Sequence, residues 1–195
     1  MTLRIEPVTP DHWDDLDRLF GPNGAYSNCW CTWWTWRASA WDRTSPAERK
    51  EHLRAQVEDG AEPGLLAYDG NEPVGWCAVA PRERYGRLTS PRARTYKSPD
   101  DRASWVVTCF FVRRDRRGTG VASELLGAVA AFVACHGGTL VEGYPVETTE
   151  HGPAAMYTGT ADMFRREGFV EAARRGSRPL VRLEVRPRRA TSPGP

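Results

Sequence analysis

Along this chain the spacing of apolar positions changes several times, and each change predicts an element. Leu3-Arg4-Ile5-Glu6-Pro7-Val8 alternates apolar and polar side chains, which predicts a first strand. Thr9 and Pro10 then open a helix whose buried face is Trp13, Leu16, Leu19 and Phe20. Ser45, Pro46 and Glu48 form a capping box with proline at the first helical position, so a second helix runs from there to about Gly60. Residues 64–69 and 73–81 read as strands joined across Asp69-Gly70-Asn71-Glu72, a strong hairpin signal. Residues 82–102 are arginine-rich and broken by Pro91 and Pro99, predicting a short helix and a long loop.

Trp105 to Val112 is too apolar for a surface strand and predicts a buried one. From Val121, the residues Leu125, Ala128, Phe132 and Cys135 follow at steps of four and three, one face of a helix that ends at Gly137-Gly138. Residues 139–146 predict another strand and residues 160–167 a helix stopped by Gly168; residues 169–174 and 178–185 form a closing hairpin. Residues 1–186 read as one domain and 187–195 as a flexible tail. No internal repeat is present.

The chemistry concentrates where the buried strand runs into Arg113-Arg114-Asp115-Arg116-Arg117-Gly118-Thr119-Gly120 and then a helix. A helix start presents backbone N–H groups without intrahelical partners, and its dipole favours an anion. Glycine at 118 and 120 lets the backbone approach a diphosphate, and nearby arginine adds charge-assisted bonds. A dinucleotide fold wants Gly-x-Gly-x-x-Gly; the third position here is Ser123, although Glu142 stands near the acidic spacing of that motif.

Arg117-x-x-Gly120-x-Ala122 instead matches the Arg/Gln-x-x-Gly-x-Gly/Ala turn of the GNAT N-acetyltransferases, and the chain resembles that family. Phe110-Phe111-Val112 matches its pantetheine-pairing strand, and Phe164-Arg165-Arg166-Glu167-Gly168-Phe169 matches a junction that usually reads Tyr-x-x-x-Gly-Phe. The resemblance covers nearly the whole chain. It implies a mixed α/β (α+β-like) fold: a central, mostly antiparallel sheet with a splayed parallel strand pair and flanking helices. It also implies acetyl-CoA as co-substrate, held by Phe110, Phe111, Val112, Arg117, Gly118, Thr119, Gly120, Val121 and Ala122, and direct attack by an amine in a ternary complex. A free N–H near Phe111 is the expected oxyanion donor.

The tyrosine that usually protonates the departing thiolate is replaced by Phe164, with Tyr157 and Tyr144 as candidate substitutes. Glu142, a carboxylate within an apolar strand, is either a general base with a raised pKa or the partner of an arginine; Glu147, Glu150 and His151 follow in a loop. Tyr26, Trp30, Trp33, Trp34, Trp36 and Trp41 crowd one stretch. Trp30, Trp33, Trp34 and Tyr144 are the expected acceptor wall, suited to a flat or cationic amine, while the same rings also suit a helix face packed on the sheet.

Composition narrows the setting. The chain has 195 residues, five cysteines, no apolar leader and no stretch fit to span a membrane, which predicts a reduced cytoplasmic protein, monomer or homodimer. Cys77, Cys109 and Cys135 fall in elements expected to be buried, and the four histidines are scattered, so no metal is expected. Residues 1–80 carry 7 basic against 13 acidic side chains, leaving 20 against 12, a net +8, for the remainder. That half faces an anion, which coenzyme A satisfies. Arg82, Arg84, Arg87, Arg92, Arg94, Lys97 and Arg102 crowd one loop and also admit aminoacyl-tRNA as donor. A CoA-binding sensor without turnover and a single-stranded nucleic-acid binder are the rivals outside the enzyme class. The favoured acceptor is a small-molecule amine.

Overall fold

A computed structural model describes residues 3–91, 96–147 and 156–186. Seven strands form one sheet: β1 (Arg4–Pro7), β2 (Gly64–Asp69), β3 (Glu72–Pro81), β4 (Trp105–Val112), β5 (Leu140–Gly143), β6 (Val170–Arg175) and β7 (Arg178–Glu184). Their order is β1-β2-β3-β4-β5-β7-β6, and among the described strands only β4 and β5 run parallel. The helices are α1 (Trp13–Phe20), α2 (Ala38–Trp41), α3 (Pro46–Glu58), α4 (Gly86–Thr89), α5 (Val121–Cys135) and α6 (Ala161–Arg166).

Local chemistry explains most boundaries. Ser45 and Glu48 close the expected capping box on α3, with Glu48 N donating to Ser45 Oγ at 3.2 Å and Ser45 N to Glu48 Oε2 at 2.7 Å. Thr160 caps α6 through Met163 N. The 139–146 strand proves shorter: only Leu140–Gly143 pairs with β7, and beyond Pro145, which has no N–H to donate, Val146 bridges to Thr160. The tail at 187–195 lies outside the described residues.

Two apolar layers sandwich the sheet. On one face α5 presses Val121, Leu125, Leu126, Val129, Phe132 and Val133 against β2 to β4. On the other, α1 and α3 bury Trp13, Leu16, Leu53 and Val57 against Tyr68, Trp76 and Cys109. Cys135, expected on the buried face of α5, is exposed. Steps of four and three advance 3.5 residues per turn against the helix's 3.6, so that series drifts towards the edge of the buried stripe. No helix among the described residues is long and apolar enough to cross a membrane.

β4 and β5 are in register only from Trp105↔Val141 to Val107↔Gly143, while β4 continues to Val112. Its last residues therefore lack a β5 neighbour and leave a wedge.

Candidate active site

The wedge opens onto the start of α5. Gly118 and Gly120 have φ of +76° and +93°, a region costly to residues with a Cβ, and open space surrounds both. Glu124 N makes the first intrahelical bond to Gly120 O at 3.1 Å, so the amides of Val121, Ala122 and Ser123 have no intrahelical acceptor. Arg117 Nε donates to Val112 O at 3.1 Å, tying the turn to the strand. Thr119 is exposed and turns its hydroxyl to Arg116 O at 2.7 Å. Arg116 is paired with Asp69.

Backbone alternation assigns the open edge of β4. Arg113 N donates to Val74 O on β3, so residues 109, 111 and 113 face β3. The main chain of Phe111 is thus committed to β3, while Phe110 and Val112 face the wedge, which leaves the neighbouring Val112 N–H as the donor near Phe111 on that side. Phe110 N donates to Tyr157 O at 2.6 Å, closing part of that edge.

A cleft of about 920 Å³ runs from Gly118, Gly120 and Val121 along Phe110 to Val112 and on to Trp33, Trp34, Trp41 and Tyr157. The loop behind its aromatic wall is strained: Ala25, Ser27, Asn28, Trp30 and Cys31 all have positive φ. Gly24 precedes them at φ +50°, where any Cβ would run into the Trp30 indole. Trp30 itself plugs the core, stacked on Trp13 at 6.4 Å between ring centroids and packed on Phe20. Being filled in on both sides, it does not line the cleft, which removes it from the expected acceptor wall. Guanidinium groups already cover two of the other rings: Arg87 lies 3.4 Å over Trp33 and Arg49 3.7 Å over Trp41.

Glu142 is fully buried and saturated. Its carboxylate accepts from Arg82 Nη1 at 2.6 Å, Arg182 Nη2 at 2.8 Å, Ser98 Oγ at 2.7 Å and Ser104 Oγ at 3.2 Å. It does not border the cleft, so the ion-pair alternative holds and the general-base alternative falls. Arg182 continues the network to Asp100 at 2.7 Å, and this guanidinium pulls the Asp100 carboxyl down to about 2. Tyr144 is buried too, its hydroxyl accepting from Arg82 at 2.6 Å and donating to Tyr96 O at 2.8 Å. It belongs to this network, neither to the acceptor wall nor to proton transfer.

Tyr157 borders the cleft beside β4, and burial pushes its hydroxyl up to about 12. Phe164 is core, edge-on to Phe110 and Phe169. Glu147 is exposed and held below its ordinary range by Arg174; Glu150 and His151 lie outside the described residues. The sequence reading missed the thiols. Cys29, Cys31 and Cys109 all border the cleft, with Cys31 and Cys109 Sγ 3.4 Å apart. The Cys31 thiol lowers Cys29 to about 6, while contact with Cys109 and Cys29 raises Cys31. Cys29-Trp30-Cys31 carried the signal, but its meaning depends on strand β4, 78 residues from Cys31. Among the described residues, no group of three or more His, Cys, Asp or Glu is arranged to hold a metal ion.

The model of the Acetyltransferase (GNAT) family matches residues 30–158. The chain belongs to that family. Acyl transfer is accordingly the class of chemistry the GNAT fold brings to this cleft. The structure is similar to a GNAT-family acetyltransferase from Streptococcus agalactiae, with a TM-score of 0.56 and 12% identity over 94% of this chain and 95% of that one. It is also similar to the PaiA N-acetyltransferase of Thermoplasma acidophilum in complex with coenzyme A (TM-score 0.53, 10% identity, 94% and 99% covered). An acetyltransferase from Thermus thermophilus gives 0.51, 17% identity, and 95% and 98% covered. At these identities the likeness establishes the fold. No curated protein matches the chain in sequence.

Proposed function

We propose that this GNAT chain moves an acetyl group from acetyl-CoA to the amine of a small molecule, by direct attack within a ternary complex in the cytosol. The observation that carries the reading is the cleft itself, which joins unpartnered helix amides to an aromatic wall across the bare part of β4. Its donor set fits the co-substrate: amides, an arginine and two glycines suit a diphosphate, and the apolar edge of β4 suits an extended pantetheine arm. The PaiA enzyme, a structural neighbour, carries coenzyme A in its own structure.

In this reading the amides of Val121, Ala122 and Ser123, with Arg117, hold the diphosphate. Gly118, Thr119 and Gly120 shape the turn. The Phe110 carbonyl lines the arm, and Val112 N–H faces the charge that develops on the thioester oxygen. The Tyr157 hydroxyl, protonated at neutral pH, donates a hydrogen bond to the departing sulfur. A thiol of pKa about 8.5 leaves without taking that proton outright. Trp33 and Trp34 flank the acceptor.

A second reading, a coenzyme A sensor without turnover, draws on the missing hydroxyl at Phe164 and the closure of Phe110 N–H by Tyr157. The aminoacyl-tRNA reading loses part of its motive, because Arg82 is spent on Glu142 and Arg102 on Glu184. Arg92 and Arg94 of that loop lie outside the described residues. Calorimetry with coenzyme A, beside mass spectrometry of amines incubated with protein and acetyl-CoA, separates the readings. Binding with an acetylated amine supports transfer, binding without any product favours the sensor, and absence of binding overturns both.

A further inference from the structure

We infer that the acceptor end of this cleft takes an aromatic amine that also bears a carboxylate, the chemistry of an aromatic amino acid or an aminobenzoate, and not a polyamine. This rests on the acetyltransferase reading above and deepens it. Aromatic walls ordinarily suit cations as well as flat rings. Here the cation positions are taken. Arg87 lies 3.4 Å over Trp33, and its Nε donates to Trp33 O at 2.6 Å; Arg49 lies 3.7 Å over Trp41. An ammonium on the free face of either ring would sit roughly 7 Å from a guanidinium across a weakly screening wall, and the two would repel.

Neither arginine is neutralised by an ion pair among the described residues. Arg49 donates only to neutral oxygens: Thr44 Oγ1 and Thr44 O at 2.9 Å, Trp41 O at 3.3 Å and Asn28 O at 3.4 Å. Arg87 has Asp42 acting on it only at longer range, and burial pulls its pKa down, the mark of a charge lacking a counterpart. Among the described residues the cleft lining contains Arg49 at the acceptor end and neither Asp nor Glu; Arg116, paired with Asp69, and Arg117 stand at the diphosphate end. A polyamine would find no carboxylate there, whereas a carboxylate on the acceptor supplies the missing counter-charge while its ring lies along Trp33 and Trp41.

The test uses the full chain and two matched pairs, phenylalanine with phenethylamine and 4-aminobenzoate with aniline, beside spermidine. Rates are read as acetylated product by mass spectrometry. In at least one pair the carboxylate member should show a kcat/KM roughly 10- to 100-fold above its partner, the size of a hydrogen bond to a charged group. Arg49→Met, at the arginine that lines the acceptor end of the cleft, should shrink that ratio towards unity with coenzyme A affinity unchanged, and Arg49→Lys should preserve it. Preference for spermidine, or for the members lacking a carboxylate, overturns the inference. If no amine is acetylated, the same ratio is read from quenching of tryptophan fluorescence on the coenzyme A-loaded protein. Equal binding within both pairs then overturns the acceptor class, while a clear ratio without turnover upholds it and counts against transfer alone.

Discussion

Glu142→Gln separates a structural hub from a catalytic base. The wild-type carboxylate stands fully buried between Arg82 and Arg182, whose side chains are 14% and 8% exposed, and accepts from two serines besides. The amide keeps the shape but removes the charge and turns an N–H₂ towards a guanidinium, leaving Asp100 as the remaining carboxylate on Arg182. Breaking a buried pair by removing one partner costs about 3–5 kcal/mol. In a domain of this size each kcal/mol moves Tm by about 2–4 °C, so differential scanning calorimetry should find Tm lower by roughly 6–20 °C. At a temperature where the variant is still folded, kcat should remain within about tenfold of the parent, since loss of a general base costs about 10²–10⁴. An unchanged Tm with kcat reduced about 100-fold or more would refute the structural assignment and return Glu142 to the chemistry.

Three further outcomes follow from the cleft. Tyr157→Phe should lower kcat by roughly 10- to 100-fold, the loss of one hydrogen bond to developing charge, and leave coenzyme A affinity unchanged in calorimetry; an unaltered kcat would remove Tyr157 from the reaction. Cys29, lowered to about 6 by the Cys31 thiol, should be alkylated by iodoacetamide about tenfold faster at pH 7 than at pH 5 and then level off, with Cys31 unreactive over that range. Peptide mass spectrometry reads this, and a Cys29 rate still climbing through pH 9 would contradict it. Gly24→Ala meets both a left-handed φ and the Trp30 ring, which together cost roughly 2–5 kcal/mol; a Tm equal to the parent's would show that the strained loop does not depend on that glycine.

What could be read along the chain is what neighbouring residues decide. Ser45 and Glu48 cap α3 because they are three apart, Asp69-Gly70 turns because Gly70 adopts φ +60°, and the start of α5 follows from Gly118 and Gly120. The wedge was legible only through family resemblance, because it arises from β5 ending early against β4. The Glu142 network stayed hidden for a plainer reason: Arg82, Ser98, Ser104 and Arg182 come from 38 to 60 residues away, and nothing local distinguishes a buried partnered carboxylate from a buried base. The tryptophan stretch held two answers at once, with Trp30 in the core, Trp33 and Trp41 on the cleft, and Trp34 buried in the core while bordering the cleft. Which ring went where depended on α1 and β3 packing behind the loop.

The central claim, that the amides opening α5 hold a diphosphate, is tested most directly by calorimetry of coenzyme A with the parent and Gly120→Glu. Gly176→Glu serves as control, since Gly176 also has a positive φ in open space but lies in the β6–β7 turn. Saturable binding to the parent and the control, weakened at least about tenfold in Gly120→Glu, is the predicted result. Equal affinity in all three proteins would contradict it.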